Sequence, residues 1–320
     1  MSPPSLTAEA ERFRPRFPWL TGDLQTMRDT LAREPIDPGP SQRLWLELPD
    51  GDALAASLHD GNAPLVVLIH GLTGDETSRY ILRARAFWVR RGRAVLALNL
   101  RGSAPSLPRS RKSYFAGAGA DIAHALQALP MAQAGVVCVG YSLGGTQLFH
   151  ALAHPAMPRV LAAATISAPV DLAAASARMM APRNLLYHRL MLRRMQREAT
   201  SLGALLAPEF RAAVASASSV RAFDDAYVAP ANGFSGADDY YARCSLAAVI
   251  GEIRAPLLCL TARDDPWIPA ASYRPELFAR NRRVILRMIE GGGHVGFHDG
   301  VRDGSFADRS VAAFFKPRER

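Results

Sequence analysis

Apolar and polar positions change period along the chain, and each change marks an element. Residues 43–48 (RLWLEL) alternate as a half-buried strand does, PDGD supplies a turn, and 53–59 (ALAASLH) reads as the return strand. The run 65–71 (LVVLIHG) is continuous and β-branched, which predicts a strand buried on both faces of a parallel sheet. Strand-length apolar runs recur at 94–100, 135–142, 159–169, 256–263 and 284–292. Between and after them, 79–91, 119–129, 144–154, 272–279 and 308–315 carry helical spacing, and a short helix is expected over 24–33. Strand–helix alternation predicts an α/β fold with a mostly parallel central sheet and helices on both faces. The rhythm breaks between Asp171 and Ile253, where the pattern is helical and offers no convincing strand. The expected organisation is an N-terminal, Pro-rich extension over 1–42, then one domain over 43–320, interrupted by a helical cap at 172–252.

Composition narrows the function classes. A chain of 320 residues with 49% hydrophobic positions can fill a large core. No apolar run approaches the ~20 residues that span a bilayer, so no stable membrane insertion is expected. The first residues, MSPPSLTAEAERFRPRF, lack the apolar core of a secretory signal. Cys138, Cys244 and Cys259 are too few and too far apart for a disulfide framework or a zinc site, and a cytoplasmic location fits them. The formal charge of +9 raises nucleic acid as a partner. Yet only Lys112 and Lys316 are lysines, and the arginines are spread along an Ala-rich chain, so the excess reads as coding bias rather than a nucleic-acid footprint. The exception is the cluster 189–197 (RLMLRRMQR), whose default reading is a solvated helix face and whose alternative is contact with anionic lipid.

The chemistry concentrates in Gly140-Tyr141-Ser142-Leu143-Gly144, placed where a buried strand ends and a helix begins. A nucleophile elbow requires that context: a tight turn, glycines where a Cβ would strike a neighbour, and a serine exposed above the sheet. Serine needs a base. His294, in GGGHVGF after the last predicted strand, is the candidate, ahead of His298 four residues later. The base needs a carboxylate to orient it. Asp264 and Asp265 both follow strand 256–263; Asp265, before a Pro-bounded turn, is favoured, with Asp264 bracing the loop. The order Ser142, Asp265, His294 is that of a strand-elbow hydrolase. Backbone N–H groups of Leu143 and of Leu72, in His70-Gly71-Leu72-Thr73-Gly74, are the expected oxyanion donors, with His70 holding the loop. No metal-ligand spacing and no dinucleotide fingerprint occurs, so neither metal nor cofactor is expected.

These motifs, with HGLTGDETSRYI (70–81), NLRG (99–102), FDDAYVAPANGFSGADDYYARCS (223–245) and ARDDPWIP (262–269), resemble the YheT-like branch of the α/β-hydrolase superfamily, which includes related eukaryotic esterases and lipases. One departure stands out. The branch's Gly-His-Leu-Gln-Thr string is here Gly22-Asp23-Leu24-Gln25-Thr26. The resemblance implies an α/β-hydrolase fold and cleavage of carboxylic esters with short or medium acyl chains, acylglycerols or phospholipids among them. Tyr141, Leu185 and Tyr187 are expected at the substrate, and Leu186, Leu190, Met191, Phe223, Phe234, Tyr240 and Tyr241 either line an acyl pocket or pack the cap. Asp224, Asp225, Asp238 and Asp239 read as capping and bracing residues. A triad alone does not separate ester from thioester, amide or peracid chemistry. Its completeness argues against a non-catalytic ligand-binding protein.

Overall fold

In the computed structural model, which describes residues 12–32, 34–316 and 318, the apolar runs pair into a single eight-stranded sheet. The strands are β1 (Gln42–Glu47), β2 (Ala53–His59), β3 (Asn62–Ile69), β4 (Arg93–Leu98), β5 (Val136–Tyr141), β6 (Val160–Ile166), β7 (Leu257–Ala262) and β8 (Val284–Ile289). Their order is β1-β2-β4-β3-β5-β6-β7-β8. The first hairpin is antiparallel and β2 runs antiparallel to β4; every later pairing is parallel. Residues 1–11 of the expected extension and Arg33, where its helix was expected to end, lie outside the described residues.

The continuous apolar runs follow from burial on two sides. Along β3, Leu65, Val67 and Ile69 enter one core, and Val66 and Leu68 enter the other. Along β5, Val136 and Cys138 face the first core, and Val137, Val139 and Tyr141 the second. With a side-chain period of two and helices over both faces, no position of an inner strand can remain polar without cost. The first face is covered by α3 (Gly119–Gln127) and α4 (Leu143–Ala153), the second by α2 (Arg79–Val89) and α12 (Phe306–Phe315). All three cysteines are buried and unpaired, as small core residues.

The expected elements are present, with shifted ends. Residues 270–279 form a 3-10 turn at Ala270–Ser272 followed by a short helix at Pro275–Ala279, because the residue before a proline avoids helical backbone. Helix α12 starts at Phe306, two residues earlier than its apolar pattern predicts, because Ser305 and Asp308 form a capping box. Between β6 and β7 no strand occurs among the described residues. Helices α5 (Leu172–Met180), α6 (Leu185–Thr200), α7 (Pro208–Ser216), α8 (Val220–Phe223), α9 (Ala229–Ala231) and α10 (Ala237–Cys244) fill the interval, with a π-helical turn at Asp224–Val228. The N-terminal helix, Gly22–Ala32, is not a loose appendage: it packs on the loop that carries His294. No helix among the described residues is long and apolar enough to cross a membrane.

Candidate active site

Ser142 sits between the last residue of β5 and the first of α4, with φ 51° and ψ −125°. That backbone is costly for a side chain and is imposed by close packing. A Cβ on Gly144 would lie 2.1 Å from the carbonyl oxygen of His70, and one on Gly140 would lie 2.6 Å from that of Gly144. The turn therefore needs glycine at both positions. The other non-glycine residues with positive φ are Thr73, Ser167, Val295 and Phe297. Each lies just beyond the C-terminal end of an inner strand or in the His294 loop, so the backbone strain of the described chain is gathered around Ser142.

The imidazole of His294 places Nε2 2.8 Å from Ser142 Oγ and Nδ1 2.9 Å from Asp265 Oδ2. A carboxylate only accepts, so Nδ1 carries the proton and Nε2 offers its lone pair to the serine hydroxyl. Asp265 Oδ1 accepts from the backbone N–H groups of Trp267 and Ile268 at 2.8 and 3.0 Å, which fixes the carboxylate plane. Asp264 Oδ1 accepts from Gly293 N–H at 2.9 Å and so braces the histidine loop. The ring of Trp267 lies over the imidazole with centroids 4.4 Å apart. His298, the other histidine of that loop, is pushed down to about 3 by burial, reinforced by Arg83, and is 3.5 Å from Asp29.

The N-terminal helix supplies a second set of contacts that the sequence pattern did not connect to the site. Thr26 Oγ1 accepts from His294 N–H at 2.8 Å and donates to the Gly22 carbonyl at 2.7 Å. Gln25 donates to the His298 carbonyl at 2.8 Å and accepts from His298 N–H at 2.7 Å. A Cβ on Gly22 would lie 1.9 Å from the Asp264 carbonyl oxygen. The Gly-x-x-Gln-Thr spacing is thus a clasp on the loops of Asp264, His294 and His298. Asp23, which replaces the branch's histidine, faces the cap instead: it accepts from Arg183 at 2.8 Å and from Tyr187 OH at 3.2 Å.

Leu72 and Leu143 both line the cleft, and no turn, loop or cap hydrogen bond takes the N–H of either among the described residues. Their neighbours are committed: Gly71 N–H donates to Tyr80 OH at 2.9 Å and Thr73 N–H to Tyr114 OH at 2.6 Å. His70 is buried, donates from Nδ1 to the Gly71 carbonyl and accepts Leu100 N–H at Nε2. Burial pushes it down to about 4, so it stays neutral and holds the loop, as expected from its place in the motif.

The cleft above Ser142 has a volume of about 490 Å³. Its far wall belongs to the cap, including Met179, Met191, Phe223, Tyr227 and Tyr241. Two carboxyls interrupt this apolar lining. Glu198 accepts from Tyr114 OH at 2.9 Å, and Asp224 from Tyr241 OH at 2.7 Å. Burial pushes each up to about 7. Asp225 accepts from Ala237 N–H and Asp239 from Ser235 N–H, Asp238 and Asp239 pair with Arg221 and Arg243, but Asp224 departs from the bracing expectation because the π-helical turn carries it into the cleft.

Of the residues left open between an acyl pocket and cap packing, Met191, Phe223, Tyr240 and Tyr241 line the cleft. Three expectations are corrected. Tyr141 points to the opposite face of the sheet, against Tyr80, because strand alternation sends the residue before the nucleophile away from it. Leu185 is 48% exposed on the outside of α6. Tyr187 packs behind Trp267, with its hydroxyl on Asp23, and does not reach the cleft.

The profile of the family described as "alpha/beta hydrolase fold" matches residues 64–301. YheT of Escherichia coli (strain K12), which bears an esterase's name, is 32% identical over 87% of this chain and 84% of its own. The medium-chain fatty acid ethyl ester synthase/esterase 2 of Saccharomyces cerevisiae is 30% identical over 81% of this chain and 63% of its own. Human phospholipase ABHD3 is 27% identical over 83% of this chain and 66% of its own. Among solved structures, the Pyrococcus furiosus esterase Pf2001 superposes with a TM-score of 0.60 at 17% identity, covering 88% of this chain and 94% of that one.

Proposed function

Because the chain belongs to the α/β-hydrolase family, in the branch of YheT and the eukaryotic abhydrolase-domain proteins, we propose that it is a serine esterase cleaving carboxylic esters of short to medium acyl chains. The observation that carries this reading is the unbroken hydrogen-bond line from Ser142 through His294 to Asp265. His294 Nε2 takes the hydroxyl proton as Ser142 Oγ attacks the ester carbonyl. The imidazolium is stabilised by Asp265, and the developing oxyanion is received by the N–H groups of Leu72 and Leu143 at the positive end of α4. His294 then protonates the leaving alcohol. Water, activated by the same imidazole, releases the acyl group from Ser142. No step calls for a metal or cofactor.

The acyl preference is supported by the cleft itself. Its volume lies within the ~300–1,000 Å³ of small-molecule sites, and most of its lining is apolar. The names of the yeast and human relatives, an ethyl ester synthase/esterase and a phospholipase, point to the same bond class. A fluorophosphonate probe should label the protein at Ser142, and Ser142→Ala should abolish both labelling and p-nitrophenyl butyrate hydrolysis. Persistent labelling of that variant would remove the assignment. Higher kcat/KM for acyl thioesters or anilides than for matched esters would move the reading to a thioesterase or amidase on the same residues.

A further inference from the structure

Helix α6 forms one wall of the cleft and also presents an outer face that nothing in the fold covers. Its inward residues include His188, Leu192, Met195 and Ala199, all buried. At 100° per residue, positions 186, 190, 193 and 197 fall on the opposite half, with 189 at its edge. Leu186 is 71% exposed and Leu190 44% exposed, and Arg189, Arg193 and Arg197 stand exposed between and beyond them. No acidic residue shares this half. Glu198, the helix's one carboxylate, turns inward to Tyr114. Elsewhere the surface arginines are commonly paired, as Arg183 is with Asp23 and Arg221 with Asp238. Arg189, Arg193 and Arg197 have no carboxylate partner among the described residues.

We infer that this face docks on an anionic lipid bilayer. Exposed leucines set among unpaired arginines match the two layers of a membrane interface: arginine stems lie along the apolar zone with their guanidinium groups at the phosphates, and leucines enter the acyl boundary. A nucleic acid or an acidic protein surface would satisfy the arginines and leave the leucines in water. The contacts of Asp23 with Arg183 and Tyr187 bring the first turn of the N-terminal helix, with half-exposed Leu20 and Leu24, beside the start of α6 and widen the apolar rim. Met191, Arg194 and Met195 of the same helix line the cleft, so docking sets the cap wall of the cleft against the bilayer. The inference rests on the esterase reading for its purpose, since a membrane would be the source of the ester.

Flotation of the full chain carrying Ser142→Ala separates the two, because binding is read without turnover. The protein is expected to float with phosphatidylcholine vesicles containing one-third phosphatidylglycerol, to float poorly with pure phosphatidylcholine, and to be released by high salt. Arg189→Glu with Arg193→Glu should weaken binding by about 30-fold or more, at roughly 5-fold per arginine. Leu186→Ser with Leu190→Ser should weaken it at low salt as well. On the Ser142 background, both pairs should hydrolyse a short soluble ester at the parental rate and melt at the parental temperature. Failure of the parent to float, flotation that survives both pairs, or equal capture by duplex DNA regardless of the leucines would overturn the inference. Flotation of the Ser142→Ala chain, with the Ser142 chain leaving soluble esters uncleaved, would sink the esterase reading alone.

Discussion

Thr26 and Gln25 touch no reacting atom, yet they set where the imidazole sits. Thr26 Oγ1 holds the His294 backbone from a position 268 residues away in sequence. Thr26→Ala should lower kcat by about 10-fold or more with little change in KM, because a small misplacement of a base is costly. Fluorophosphonate labelling should slow in parallel, and Thr26→Ser should restore both. The two aspartates after β7 separate cleanly by contact. Asp265→Asn removes the charge facing His294 Nδ1 and favours the wrong tautomer, so kcat should fall by about 10³–10⁴-fold. Asp264→Asn keeps an acceptor for Gly293 and should cost less than about 10-fold. Steady-state kinetics on one p-nitrophenyl ester decides all three; equal losses for the two aspartates would mean that the carboxylate roles are misassigned. The doublet itself was readable in the sequence, where Asp265 is favoured because it precedes the Pro-bounded turn. The role of Thr26 was not readable, because nothing local ties a residue of the N-terminal helix to a loop beyond the last strand.

The cap carries two cleft-lining carboxyls whose protonation burial favours, Glu198 and Asp224. Glu198 on α6 and Asp224 on the π-helical turn both titrate near 7, above their ordinary values, because burial penalises the charged form. The folded state therefore retains protons that the unfolded chain releases. Their contribution to stability is complete below the ordinary carboxylate range and is lost as pH rises toward about 7. Glu198→Gln, which keeps an acceptor for Tyr114, should flatten that loss by about 1–3 kcal/mol. The check is thermal melting of parent and variant across about pH 5 to about pH 8. A variant whose melting temperature falls as steeply as the parent's would refute the burial argument. Strands were the most legible elements, since two-sided burial leaves a continuous apolar run. The cap was legible as helical, but its inward and outward faces were not, and Leu185 and Tyr187 were misplaced for that reason. Short helices joined by turns show too few periods to fix which side meets the sheet.

Across the whole molecule, amino-acid pattern alone determined the number of the strands and their succession along the chain, the elbow at Gly140–Gly144, and the chain order of Ser142, Asp265 and His294. Each of these is a local property: a two-residue period, a glycine where a Cβ has no room, a loop after a strand. Tertiary structure decided the rest. It turned Tyr141 away from the cleft, drew Asp224 into it, and laid the N-terminal helix across the loops of Asp264 and His294. Those outcomes depend on which distant surfaces meet when the sheet closes against its helices, and contacts between residues hundreds of positions apart leave no period in the chain to read.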